Sequence, residues 1–435
     1  MALSKRLTRF LNATAGVVSA FSLFLSVTLL MLGGLALDAS AVMTENVHLQ
    51  AANDSAAHAA LLTRETQSAD IAKAKALDVA KANLPQIYYG TVVYLSDVVF
   101  GTWDNSTRKF AANPDSSQAV QVQMHRAESN GNSYRTLLLW LAGLWSFDIQ
   151  TASTYESYNP MCFNEGFVAD GVVDIQSNNT FGDGFCIHSN TYVSLNSNNT
   201  FEPGSVVSMP DLRTLQIPSS GMKTNLGLGA ALRQGSYNIR VLKRINDIIA
   251  HVGDPASTYY RPYITNPAPV ALTGTKIDAS NLPPGHIYTW NCGGNSGTID
   301  GTKGTISNVV IETACPVKFG ANTAVENTTI LNTSTDVKSF SGPSGVALGK
   351  NDNCAPGGGV QLVSLGGMDF AANLEMYGSQ LLGMGQINFA ARANGIKGAS
   401  MVSHTGIDGT SNMDMGICDT GMEGNFIAHY FRLVD

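Results

Sequence analysis

The hydropathy pattern of this chain is most one-sided near its start. From Ala13 to Leu37 there is no charged residue. As a helix rising ~1.5 Å per residue this run is roughly 37 Å long, enough to cross a hydrocarbon core of about 30 Å with some tilt, which predicts a transmembrane helix over 13–37. A cleaved signal sequence is the alternative, with Ala39, Ser40 and Ala41 as its small-residue site, although its apolar region is usually only about 7 to 15 residues. Residues 38–83 contain neither Gly nor Pro and are rich in Ala, Leu, Lys and Gln, so the helix is expected to continue to about Asn83, with Pro85 as its stop. Further on, Val120, Val122 and Met124 alternate with Gln121, Gln123 and His125, the period of a half-buried strand. The apolar run Thr136–Trp145 is too short to span. It is expected as a core helix beneath the sheet, with the lipid interface as the alternative place for Trp140 and Trp145.

After residue 160 the pattern shifts to short β-prone runs separated by Asn, Gly, Ser and Thr. Ser177-Asn178-Asn179-Thr180-Phe181 recurs as Ser197-Asn198-Asn199-Thr200-Phe201, a period of about 20 that fits stacked β tiers. In that arrangement Val172, Val173, Ile175, Phe185, Ile187, Val193 and Leu195 point inward and the asparagines stack at the corners. The texture returns at 307–331 and 360–418, while 204–290 is Pro-rich and reads as an insertion or connection with a helix around 239–251. The fold class is therefore α+β: an N-terminal transmembrane helix with a small antiparallel sheet, then an all-β domain expected as a right-handed parallel β-helix, with a β-sandwich as the alternative. The expected divisions are a basic leader over 1–12, the membrane helix over 13–37, a helix-plus-sheet module over 38–155 and the β-rich domain over 156–435.

Charge sets the direction of the chain. Lys5, Arg6 and Arg9 precede the apolar run and Asp38 and Glu45 are the first charges after it, so the positive-inside rule places the N-terminus in the cytoplasm and the rest beyond the membrane. A net charge of -7 and no further basic block exclude nucleic acid as a partner, because phosphate neutralisation needs clustered Lys or Arg. All 6 cysteines, Cys162, Cys186, Cys292, Cys315, Cys354 and Cys418, follow the apolar run. An even count in an oxidising compartment reads as disulfides, and sequence proximity favours Cys162 with Cys186, Cys292 with Cys315 and Cys354 with Cys418. Zinc is disfavoured because no two cysteines have the short spacing of a zinc-binding pair.

No catalytic or cofactor-binding constellation stands out, and no cofactor or metal is expected. Glu165, Asp170, Asp174 and Asp183 are close in sequence and read first as solvated turn chemistry, with a carbohydrate-active or calcium site as the alternative. His286, His404 and His429 are scattered without metal-ligand spacing.

Two stretches resemble the TadE/TadG-like Flp pilus-assembly family. Gly34-Leu35-Ala36-Leu37-Asp38 is similar to the Gly-x-x-x-Asp that ends the apolar helix in that family, and the run from Leu49 to Ala60, with Gln50, Asp54, Ala56 and Ala57, resembles its Leu-Gln-Ala-Ala segment. Asn53 and His58 depart from the family pattern. Val98–Asp104, Lys109-Phe110 and Ala119–Arg126 resemble the strands that follow. The glutamate that follows the processing site of type IV-like prepilins is absent after Gly16, where the chain reads Val17-Val18-Ser19-Ala20-Phe21. The resemblance implies a single-pass inner-membrane protein, without enzymatic activity, whose C-terminal domain is periplasmic or extracellular. It would act in assembly, anchoring or surface adhesion of a Tad (Flp) pilus. Its implied partners are pilus-assembly or pilin proteins, together with the lipid bilayer and, as a further candidate, surface polysaccharide. An anchored carbohydrate-active β-helix enzyme and a polysaccharide-binding adhesin are the alternatives.

Overall fold

The computed structural model describes residues 15–435 apart from 411 and 419; the basic leader with Lys5, Arg6 and Arg9 lies outside the described residues. The chain forms two compact units, one running to Tyr158 and including His429–Asp435, the other comprising Asn159–Ala428.

In the first unit, helix α1 (Ala15–Arg64) is 50 residues long. Its first half has no apolar stripe, because residues 18–37 are exposed on every side except at Gly34. Its second half does have one. Leu49, Ala52, Asn53, Ala56, Ala57, Ala60 and Leu61 recur at helical spacing and are all buried, while Met43, Val47 and Ser55 face outward.

The single helix expected to reach Asn83 is two. α1 stops at Arg64, and after the polar residues 65–68 the chain folds back as α2 (Ala69–Asn83), with the Ser68 hydroxyl accepting from the Ile71 N–H at 3.4 Å. Ser is a strong N-cap and supplies an acceptor for an otherwise unpaired helix donor, so it starts a new helix where composition alone reads continuity. Ala72, Ala76 and Ala80 form the buried edge of α2 and pack with the alanines of α1 in one core.

The same core is closed by an antiparallel sheet. Strands β1 (Val98–Asp104), β2 (Lys109–Ala112) and β3 (Ala119–Arg126) are followed by a two-stranded hairpin, β4 (Tyr134–Arg135) with β5 (Ser146–Phe147), and by β6 (Ile149–Tyr158). The sheet order is β2-β1-β3-β6, with the C-terminal strand Tyr430–Leu433 pairing β6 antiparallel. Val98, Phe100, Val120, Val122 and Met124 cover the helices.

In the second unit, every strand pairing among the described residues is parallel. Gly166–Ala169 pairs Cys186–Ser189, which pairs Val206–Met209, in register over equivalent positions of the repeat. Thr180 aligns with Thr200 and Phe181 with Phe201, whose rings stack at 5.0 Å. The tiers do not stack in simple chain order. Gly166 also pairs with Ser400, Val172 with Gly406 and Thr180 with Asp414, so the chain enters in the middle of the stack. It runs outward to Leu232–Gln234, passes through short helices over 240–251, and restarts at Asn266–Thr273. From there successive tiers lead back through His286–Asn291, Val310–Thr313, Thr328–Asn332 and Val360–Ser364 to the strands at 368–403. The span read as a Pro-rich insertion, 204–290, thus contains strands of the stack. Pro267 and Pro269 lie in an exposed outer strand, where a missing N–H donor disrupts no second ladder.

Asparagine fixes the corners. Asn178, Asn198 and Asn412 occupy equivalent corners with φ of 62°, 63° and 64°. Asn adopts this left-handed conformation more readily than other non-glycine residues. At the first two corners the next residue is a second asparagine, Asn179 or Asn199, which turns inward and is buried. Asn179 donates through its backbone and side-chain N–H groups to Asn199 Oδ1 at 3.0 and 2.9 Å, and the Asn199 N–H donates to Asn225 Oδ1 at 2.8 Å.

Candidate docking site at the helix exit

Asp38 is the first charge after the apolar run, and its environment is constructed by backbone rather than by counter-ions. It is wholly buried, and its carboxylate accepts three consecutive N–H groups, from Leu137 at 2.5 Å, Leu138 at 3.0 Å and Leu139 at 2.8 Å. Successive amides converging on one carboxylate satisfy it without another charge, as in anion-binding backbone nests. One helical turn earlier, Gly34 leaves room for the same loop: a Cβ there would lie 2.9 Å from the Leu138 Cβ. The two ends of the Gly-x-x-x-Asp element therefore hold a single loop against α1, Gly34 by absence of a side chain and Asp38 by hydrogen bonding.

That loop is the tip of the β4–β5 hairpin. The core helix expected over Thr136–Trp145 is instead a tight turn, with a 3₁₀ segment at Leu139–Ala142 and Gly143 at φ 88°. The hairpin stem and the Asp38 clamp leave too little chain for a regular helix. Leu139 alone is buried, while Leu137, Trp140, Leu141, Leu144 and Trp145 are between 44% and 68% exposed.

Below the exit, Arg126 pairs with Glu45 and lies over the rings of Tyr89 and Tyr134 at 5.3 and 5.5 Å. Gln50 donates to Asp54 at 2.7 Å and to the Ala152 carbonyl at 3.1 Å. Leu49, Ala56 and Ala57 serve the core. Asn53, a departure from the family pattern, is a clamp: its amide donates to the Val122 carbonyl at 3.1 Å and to Thr151 Oγ1 at 3.2 Å, joining α1 to β3 and β6. Asn132, not singled out in sequence, does similar work in a loop, donating to the carbonyls of Tyr89, Thr91 and His125 and accepting from the Ala127 N–H. Its position before a Ser-Tyr pair carries no periodic signal.

In the second unit the structure contains the disulfides Cys162–Cys186, Cys292–Cys315 and Cys354–Cys418. The four acids do not gather at one centre. Glu165 accepts the Cys418 N–H at 3.0 and 2.7 Å, Asp170 pairs with His404 at 2.8 Å, Asp174 aligns with Asp408, and Asp183 stands at a corner beside Gly204. Burial pushes the Asp408 carboxyl up and the neighbouring Asp174 adds to the effect. His286 bonds the Pro284 carbonyl, and the His429 backbone N–H donates to Glu65. Among the described residues no three His, Cys, Asp or Glu side chains are grouped to hold a metal.

A different polar chain crosses this unit: Ser208 to His188 Nδ1 at 2.7 Å, His188 Nε2 to Asn190 at 3.0 Å, and Asn190 to Asp170 at 2.8 Å. It has the residue types of a nucleophile and base. Its His188 is completely buried, however, with Tyr237 packed edge-on at 4.6 Å. Burial holds His188 below the usual histidine range, opposed in part by Asn190 and Asp170, so the ring is a neutral link between tiers.

Two comparisons with protein families bear on these units. Residues 16–73, which include Gly34, Asp38 and the alanine stripe, match the Flp pilus-assembly TadE/G-like family. Residues 166–419, more than half of the chain, match the domain of unknown function DUF7867. The chain belongs to the DUF7867 family. In this DUF7867 protein the family domain coincides with the parallel stack, and a TadE/G-like domain occupies the N-terminal region. That domain supports a Tad/Flp pilus-related role and suggests a structural, non-enzymatic component that interacts with other pilus components. Together with the long apolar helix it suggests a single-pass membrane anchor. No curated protein and no solved structure matches the chain.

Proposed function

We propose that this protein is a membrane-retained component of a Tad (Flp) pilus, anchored in the inner membrane by α1 with its N-terminus in the cytoplasm. It acts by protein–protein contact in pilus assembly, anchoring or surface adhesion. The observation that carries this reading is the coincidence of the TadE/G-like match with a helix whose first half is exposed and apolar throughout and whose second half is packed into its own sheet. A helix shaped in this way is an anchor continuous with a folded module. The DUF7867 domain lies beyond the membrane in this reading, and three disulfides support an oxidising compartment there. We read its tiers as a parallel β-helix. Parallel pairing at the repeat interval and corner asparagines shared by neighbouring tiers favour this over a sandwich, whose sheets are antiparallel.

Surfaces for pilus partners are available on the first unit. Met43 and Val47 are exposed on α1 beyond the apolar run. An open groove of about 500 Å³ is lined by Leu77, Leu84, Val92, Val93 and Leu95. Full-length protein solubilised from its native membranes should co-purify Flp pilin or Tad secretion components, and a Met43→Glu/Val47→Glu variant should recover at least about tenfold less, the effect of losing ~1.4 kcal/mol of binding. Retention of both proteins in the membrane with no Tad component recovered would reject the role in the pilus.

A further inference from the structure

We propose that the β4–β5 loop, residues 136–145, is a second membrane-seated element, inserted in the headgroup and acyl boundary of the leaflet from which α1 emerges. The proposal rests on the reading of α1 as the membrane anchor and adds a lipid-binding site on the folded module itself.

The first argument is composition at one tip. Thr136–Trp145 holds no charge, and five large apolar side chains there, including both tryptophans, stand about half exposed or more. Trp140 and Trp145 lie side by side, with ring centroids 6.0 Å apart. Tryptophan concentrates at membrane interfaces because its ring is apolar and its N–H polar. Along the chain the nearest charges, Arg135 and Asp148, lie in and beyond the hairpin stem, and the one carboxylate against the loop, Asp38, is buried under its N–H groups.

The second argument is the backbone. Moving a loop out of water costs free energy for each unpaired N–H or C=O. Here the Leu137, Leu138 and Leu139 donors are held by Asp38. The Thr136, Leu141, Gly143 and Leu144 donors are held by carbonyls of the loop itself, and the Trp140 indole N–H donates to the Leu137 carbonyl. Seven backbone donors of the turn and the Trp140 indole N–H thus need no partner from the surrounding medium.

The third argument is depth, and it selects lipid as the occupant. The loop touches α1 at Gly34 and Asp38, the last turn of the run over 18–37 that is otherwise exposed. At a rise of ~1.5 Å per residue this contact lies within about one turn of the end of the span, the level of the headgroups. The clamp also settles the charge: Asp38 would face the interface uncovered if the loop were absent, and the three N–H groups take it out of contact with lipid.

The test uses full-length protein in vesicles of phosphatidylcholine and phosphatidylglycerol, with and without brominated acyl chains, which quench nearby tryptophan. The difference in emission between the native chain and a Trp140→Phe/Trp145→Phe variant isolates the loop, and Leu29→Trp in that variant reports on α1. The expected result is about twofold or greater quenching of the loop signal by shallow bromines and of the Leu29→Trp signal by deep ones. Quenching at Leu29→Trp without quenching of the loop overturns the proposal and leaves the anchor standing. No quenching at either overturns both. Loop tryptophans shielded from bromolipid and also from aqueous acrylamide would show that protein covers them, and would overturn the proposal as well.

Discussion

The two units bury polar side chains in different ways. In the first unit Asp38, Asn53 and Asn132 are buried polar groups that each make a different junction. Asp38 holds the 136–145 loop, Asn53 ties α1 to two strands, and Asn132 gathers three carbonyls from two segments. In the second unit the buried polar groups repeat: Asn179, Asn199 and Asn225 pass the same bond from tier to tier, and Ser208, His188 and Asn190 link neighbouring strands. A mixed helix-and-sheet fold has many different junctions and needs a specific side chain for each, whereas a stack has one junction repeated. The stack therefore relies on redundancy, and all of its cysteine cross-links lie within it.

The largest test of that contrast is loss of a cross-link. Cys354–Cys418 has a sequence separation of 64, and on a chain-entropy basis Cys354→Ser/Cys418→Ser should lower the stability of the second unit by about 4 kcal/mol. Hydrogen exchange should accelerate at Val360–Ser364 and remain unchanged in β3. Acceleration in both would show that the two units do not resist unfolding separately.

Next in size is Asp38→Ala, which removes the acceptor of three N–H groups and should cost about 3 kcal/mol of local stability, because a buried donor without its charged partner bears its desolvation. Proteolysis and amide exchange should both rise at 136–145, with Asp38→Asn intermediate. Unchanged protection of Leu137–Leu139 would refute the clamp. By comparison Asn199→Ala should cost about 2 kcal/mol in thermal unfolding, since Asn179 keeps its bonds to Met413 and Gln176 and the backbone N–H at 199 still reaches Asn225.

The smallest effect concerns pH. The folded-state pKa of His188 lies below its ordinary 6.5. Between the folded value and 6.5 the unfolded chain holds a proton that the folded chain does not. Stability of the second unit should therefore fall as pH drops below about 6.5, by at most about 1.4 kcal/mol per pH unit. His188→Gln should flatten this slope in denaturant titrations at pH 5 to 7, and an identical slope in the variant would mean other groups cause it.

Legibility in the sequence followed the range of the interactions. The apolar run, the Gly-x-x-x-Asp element, the alanine stripe and the Ser-Asn-Asn-Thr-Phe repeat were readable because periodic local patterns report which face is buried. The break at 65–68 was missed because composition there still favours helix and the cap is one serine. The 136–145 loop departs from the expected core helix because the clamp by Asp38, remote in sequence, holds a short apolar run as a turn, and no local pattern reports that contact. The Ser208–His188–Asn190 chain was likewise invisible until tiers placed those residues side by side.

By itself the sequence determined the long apolar helix and the repeat, since a charge-free run of this length and a period of about 20 are local patterns that persist wherever the rest of the chain goes. The tertiary structure decided the order of the tiers, with Gly166 stacked beside Ser400, and the return of Tyr430–Leu433 to β6. Parallel ladders of similar short strands can pair in many orders with nearly the same local energy. The choice is made by contacts far apart in the chain, such as Asn179 accepting from Met413 at 2.9 Å, and no local pattern encodes them.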